Sequence, residues 1–248
     1  MSEVIDTTKW WAKALFIGAI VGIVALPIGA LGSKFGIWPF TLGFMLLAVG
    51  VVLATIAFFV GIVAAFYSNS KKLHEERKKC LMAVAISVVV LGLMGNQFLS
   101  ASAVPSIHNI STDTENPPQF ETLIAVREAE GANPVEYDAE KLAPLQRQAY
   151  PYVKSLVTRS AQSVVFDRTV AALTDLGLEV VAQNPNRGHI EATDTTFWFG
   201  FKDDVVVRVT AEGVGSVVDI RSVSRVGQSD LGKNAQRIGQ ILNHLADL

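Results

Sequence analysis

The chain has 248 residues, 50% of them hydrophobic, with a mean hydropathy of +0.36 and a formal net charge of −2. Residues 1–100 carry eight Lys/Arg against four Asp/Glu, whereas residues 101–248 carry thirteen against nineteen. The acidic second half argues against nucleic acid as a partner, because phosphate binding is driven mainly by Lys and Arg, and the single cysteine, Cys80, cannot form an intrachain disulfide.

No basic residue lies between Lys13 and Lys34, between Lys34 and Lys71, or between Lys79 and Arg127, and the first two gaps hold no acidic residue. A hydrocarbon core of roughly 30 Å takes about 20 apolar helical residues to cross. Three spans are therefore predicted, at about Trp10–Leu31, Ile37–Tyr67 and Cys80–Phe98. Apart from Lys13 near the N-terminal end of the first, none contains a charged residue, so the spans read as an anchor or assembly module rather than a conduit. Gly18 and Gly22 form a GxxxG pair, suited to packing within the chain or to a homo-oligomer. Trp10, Trp11 and Trp38 fall at the predicted interfaces, where aromatic belts form.

Basic residues beside the spans set the orientation. Lys71, Lys72, Arg77, Lys78 and Lys79 lie between the second and third spans, Lys9 and Lys13 flank the first, and only Lys34 lies between the first two. The positive-inside rule then predicts a multi-pass inner (cytoplasmic) membrane protein. Its N-terminus is cytoplasmic, and everything beyond about residue 101 is periplasmic. The expected organisation is a transmembrane anchor over 1–100, an extended tether over 101–157 and an α+β domain over 158–248.

The tether assignment follows from the run Val104 to Pro118, where proline and turn-forming residues replace any periodicity. His108, Asp113 and Glu115 lie in it without a recognisable ligand spacing, so no metal is expected. Ser160 is placed to cap a helix carrying Val165, Val170, Leu173 and Leu176, with Gly177 as its stop. Strands follow at about Leu178–Ala182 and His189–Thr195, with Lys202-Asp203-Asp204 read as a turn. Two more follow at Val205–Ala211 and Ser216–Ser224. If Glu212 faces Gly215 across a two-residue turn, Val207 meets Ile220, Val209 meets Val218 and Arg208 meets Asp219, leaving one face apolar and one carrying an ion pair. A last helix starts near Ser229 or Asp230, with Leu231, Ala235, Ile238, Leu242 and Leu245 as its stripe. The fold class is thus a three-helix transmembrane module plus a two-layer α+β domain: helix, four-stranded antiparallel meander, helix.

Gly227-Gln228-Ser229-Asp230-Leu231-Gly232-Lys233-Asn234 falls one residue short of a phosphate-binding loop. Asn234 replaces the magnesium-holding hydroxyl and Asp230 brings negative charge, so nucleotide binding is rejected and no cofactor is expected. A softer site is expected instead. Arg221, Arg225, Ser229, Asp230 and Arg237 gather near a helix start, where a carboxylate or phosphate headgroup could dock. Structural ion pairing, such as Arg225 with Asp230, competes with that reading. Among the aromatics Phe197, Trp198, Phe199 and Phe201, alternation turns Trp198 away from its neighbours, towards lipid or a partner. His189 and His244 read as surface histidines. No catalytic residue is assigned.

Several separated blocks resemble one family. They are Pro105-Ser106-Ile107-His108-Asn109-Ile110-Ser111-Thr112-Asp113, Glu191-Ala192-Thr193, Phe199-Gly200-Phe201, Asp203-Asp204-Val205-Val206-Val207-Arg208-Val209, and the run from Asp219 to Gly232. In this order they resemble the bacterial domain of unknown function 1499 family over about 104–248. The resemblance implies a bacterial envelope protein with spans ahead of the domain, and it brings no activity or catalytic residues. The functional expectation is a non-catalytic binding or scaffold domain in the cell envelope, with the bilayer and an envelope protein or lipid as partners. Its rivals are an enzyme acting on lipid or cell wall through the Arg221–Asp230 region, and an accessory subunit of a membrane complex.

Overall fold

The computed structural model of the chain describes residues 8–247. It divides into two units. The first runs to Leu99 and takes in the segment Phe197–Gly200, and the second is Ser100–Thr196 with the chain from Phe201 onward.

The first unit is built on α1 (Trp10–Lys34), α2 (Phe40–Ser70) and α3 (His74–Ser102), each long and apolar enough to cross a membrane. Helices α1 and α2 are antiparallel: Trp11 meets Tyr67, Gly22 meets Gly50 and Gly29 meets Gly43. A Cβ on Gly22 would stand 2.9 Å from the Gly50 carbonyl oxygen, and one on Gly29 would stand 2.8 Å from that of Gly43. Only small residues allow such an approach. Gly22 of the GxxxG pair is therefore used inside the chain, whereas a Cβ on Gly18 meets nothing within 4 Å. At the α1–α2 turn Trp38 folds back over Gly32, and its indole N–H donates to the Gly29 carbonyl at 3.1 Å.

Helix α3 begins six residues ahead of the expected span, which shortens the basic loop. Glu75 and Glu76 fill its first turn, where the helix dipole favours anions. The Glu76 carboxylate also accepts the Lys9 backbone N–H at 3.1 Å. Small residues join the three helices, in the clusters Ala12, Ala65, Cys80 and Ala19, Ala57, Ala83. Within this unit the Phe199 ring lies 4.8 Å from that of Phe44, and the Lys34 ammonium stands 4.6 Å over Phe197.

The second unit is a sheet with helices. Its elements are β1 (Asn109–Ser111), α4 (Thr122–Ala129), α5 (Ala139–Ala149), β2 (Leu156–Thr158), α6 (Gln162–Asp175), β3 (Glu179–Asn184), β4 (His189–Thr195), β5 (Lys202–Glu212), β6 (Gly215–Ser224) and α7 (Lys233–His244). The predicted meander is β3 to β6, and the β5–β6 pairing has the expected register, Val207 opposite Ile220 and Arg208 opposite Asp219. Helix α6 ends at Gly177 (φ +84°) as expected, but Ala161, not Ser160, holds its N-cap and makes no side-chain cap bond.

Four expectations change. The sheet has six strands, because β1 and β2 both pair antiparallel with β6, on the side away from β5. Residues 101–157 thus supply two strands and two helices instead of an extended tether. Lys202-Asp203-Asp204 is strand, and the turn is Thr196–Phe201, closed by the Thr196 N–H on the Phe201 carbonyl (2.8 Å) with Gly200 at φ +69°. Both sheet faces are covered, not one. Val205, Val207, Val209, Val218 and Ile220 pack with α6 and α7 through Phe166, Leu173, Ile238 and Ile241, while Val206 and Val223 pack with Phe120 and Leu123 on the opposite face.

Candidate functional site

Strand alternation decides where the five expected anion-site residues go. Arg221 lies on the β6 face shared with Val206 and is fully buried. Its Nε donates to Asn109 Oδ1 (3.0 Å), and its terminal nitrogens donate to the carbonyls of Pro118 (3.1 Å) and Val135. The guanidinium stands 5.7 Å from the Phe120 ring and 5.8 Å from Tyr137. Among the described residues no carboxylate lies within ion-pair distance of it. Burial lowers its pKa to about 10.

Arg225 follows the end of β6 and grips Asp204 with two nitrogens, at 2.9 and 2.8 Å, while a third reaches Glu130 at 2.7 Å. Its pKa is raised, first by the hydrogen bonds to Asp204. Asp204 is fully buried and also accepts from Arg127 (2.6 Å) and Thr193 (2.8 Å). Arg237 belongs to the opposite face, on α7, bonding Asp194, Asp203, Ser222 and Asn234. The Asp230 carboxylate caps the start of α7 by accepting the N–H groups of Gly232 and Asn234, both at 2.8 Å. Burial raises its pKa despite those bonds. The half-buried Ser229 accepts from the Leu231 N–H at 3.3 Å. The sheet therefore stands between Arg221 and Arg225 on one side and Arg237 on the other, and Arg225 pairs with Asp204 rather than Asp230. Trp198 is 55% exposed, with Phe197 edge-on at 5.2 Å.

His189 is not a free surface group. Its Nε2 lies 2.9 Å from the Glu191 carboxylate, which is fully buried and also accepts the N–H groups of Glu121 (2.6 Å), Thr122 (3.0 Å) and Leu123 (2.8 Å). A side chain of β4 thereby caps helix α4. Burial works against its ionisation, but His189 and the three amides outweigh that and hold the carboxyl below its ordinary range.

The open polar cleft lies elsewhere, a cavity of about 480 Å³ between the residues after β1 and the stretch from α5 to β2. Its floor is rigid. The Gln146 carboxamide bonds both the N–H (3.0 Å) and the carbonyl (2.6 Å) of Ser111, standing in for a neighbouring strand. Buried Asp219 accepts from Arg208 (2.8 Å), Ser155 (2.5 Å) and Thr112 (3.3 Å). Asp113 gives one oxygen to the Glu115 and Asn116 amides and the other to Arg208 (3.0 Å). The rim carries two cations. Arg147 is bonded to Thr114 (2.6 Å) and 3.8 Å from the exposed Glu115, and Lys154 makes no ion pair among the described residues. Hydrogen-bonded carboxylates below and exposed cations at the rim suit capture of a polar, negatively charged group. Sequence reasoning missed this cleft because its residues fell in the presumed tether. One signal was available: Gln146 follows Leu142 and Ala143 on the inward stripe of a short helix, and a polar residue there needs a partner.

A family model described as a protein of unknown function (DUF1499) matches residues 109–245. No curated protein matches the chain.

Proposed function

The chain belongs to the DUF1499 family, and from that premise we propose that it is a bacterial inner-membrane protein presenting a non-catalytic binding domain to the periplasm, with the 480 Å³ cleft as its docking place. The observation that carries this reading is a contrast in charge use. Arg127, Arg225 and Arg237 are each matched to buried carboxylates inside the fold. Exposed Arg147 and Lys154 rim a cleft where Arg208 holds Asp113 and Asp219, and the one carboxylate near Arg147 is the exposed Glu115 at 3.8 Å. The long apolar stretches of the three helices support the anchor, and the basic residues between the second and third of them support a cytoplasmic N-terminus. Trp198 and Phe197, both exposed, are assigned to lipid contact.

The test is mass spectrometry of small molecules retained by the full-length protein in mild detergent, beside an Arg147→Ala/Lys154→Ala double variant. The expected result is an anionic envelope compound on the wild type that the variant loses. Equal retention by both proteins would sink the cleft assignment. A second polypeptide retained by both would favour a subunit of a larger complex.

A further inference from the structure

The α1–α2 hairpin carries a second concavity, unlike the polar cleft in every respect. It is an open groove of about 580 Å³ with an almost wholly hydrocarbon lining, including Trp10, Trp11, Gly18, Leu53, Val60 and Tyr67. It lies at the basic end of the hairpin. Trp11 and Tyr67 meet edge to face there, 6.4 Å between ring centres. Exposed Lys9 adjoins Trp10, and exposed Lys71 and Lys72 follow the end of α2, four and five residues past Tyr67. Helix α3 packs beside the groove, through Ala12, Ala65 and Cys80, against which the lining residues Trp11, Leu15 and Ala64 also pack. The groove stays open because Gly18 has no side chain to fill it.

We infer that this groove holds one anionic phospholipid, its acyl chain along Gly18 and Leu53 and its phosphate among Lys9, Lys71 and Lys72. The occupant follows from shape and charge. From Trp10 to Gly18 the groove runs about 12 Å along α1, and its open, hydrocarbon-lined side admits an acyl chain. An apolar slot topped by interfacial aromatics and a lysine cluster matches a lipid with a tail and a negative head, and basic sites beside transmembrane helices bind such headgroups. The inference concerns the helical unit alone, so it stands or falls separately from the cleft.

The test uses delipidated full-length protein, titrated with phosphatidylglycerol or phosphatidylcholine of identical chains and read by native mass spectrometry. The expected result is at least tenfold tighter retention of phosphatidylglycerol. Lys71→Gln with Lys72→Gln, both at exposed positions, should bring it to the phosphatidylcholine level. Gly18→Leu should weaken both lipids, with unchanged helicity by circular dichroism showing that the variant folds. Equal retention of the two lipids by the wild type, no effect of Gly18→Leu, or a protein dimer that displaces the lipid would each overturn the inference.

Discussion

Arg221 is a fully buried cation resting on carbonyls, a carboxamide and two aromatic rings. Charge-assisted hydrogen bonds contribute about 1.5–3 kcal/mol against about 1 for neutral ones. Asn109→Asp places a carboxylate 3.0 Å from Nε, where the carboxamide oxygen now sits. It also loses the Asn109 Nδ2–H bond to the Glu136 carbonyl (3.1 Å), so the net gain should stay below about 1 kcal/mol, read as a small rise in the midpoint of chemical unfolding, and a fall would show that the lost bond and the buried charge outweigh the pair. Because the folded pKa of Arg221, about 10, lies below its ordinary 12.5, the unfolded chain binds more protons between those values. The penalty of burying this charge is fully present below pH 10 and fades as pH rises towards 12.5. Glu191 has the opposite sign. Its folded pKa is depressed below 4.5, so its contribution is present above that value and is lost as pH falls through the folded pKa. Glu191→Gln should cost about 2 kcal/mol at pH 7 by leaving amide donors of α4 poorly matched. It should also flatten the loss of stability as pH falls below 4.5. A variant as acid-sensitive as the wild type would assign that loss to other carboxylates.

At the scale of elements, glycines divide into those that set a distance and those that do not. Gly50→Leu forces a side chain into the Gly22 carbonyl, where even a Cβ would stand at 2.7 Å. Overpacking costs about 1–3 kcal/mol, so its melting temperature in detergent should drop, whereas Gly18→Ala should leave it unchanged. Similar drops for both would deny the close α1–α2 contact. The helices were legible in the sequence because lipid selects each residue one at a time. The β5–β6 hairpin was legible because its turn and its alternation agree on one register. The strands β1 and β2 were not, since three residues show no period and their partner β6 lies more than 50 residues away. Asp203 and Asp204 resembled a turn for a related reason: the arginines that let them enter a strand, Arg127, Arg225 and Arg237, come from other elements. The expected anion cluster failed likewise, because nearness in sequence does not say which sheet face a side chain takes. The polar cleft was hidden entirely, its walls lying in segments without periodicity.

At the scale of the whole molecule, the uneven distribution of charge carries the orientation. Lys71, Lys72, Arg77, Lys78 and Lys79 stand at one end of the helices, and Lys34 alone lies in the α1–α2 turn region. Such bias sets topology through basic residues close to the spans. A phosphatase fused at the C-terminus should be active and a fluorescent protein there dark. Changing these five basic residues to glutamine should mix the two populations, and a fluorescent wild-type fusion would reverse the orientation.

The pairing of β1 with β6 also orders events in time. Asn109–Ser111 leaves the ribosome more than a hundred residues before Val223, Ser222 and Arg221, the partners it needs. Leu156–Thr158 waits for the same strand. The sheet therefore cannot close on this border until nearly the whole polypeptide has been made, and non-local pairings of this kind form slowly. A nascent chain halted before Gly215 should be cut readily by protease near both waiting segments, and one released after Ser224 should resist.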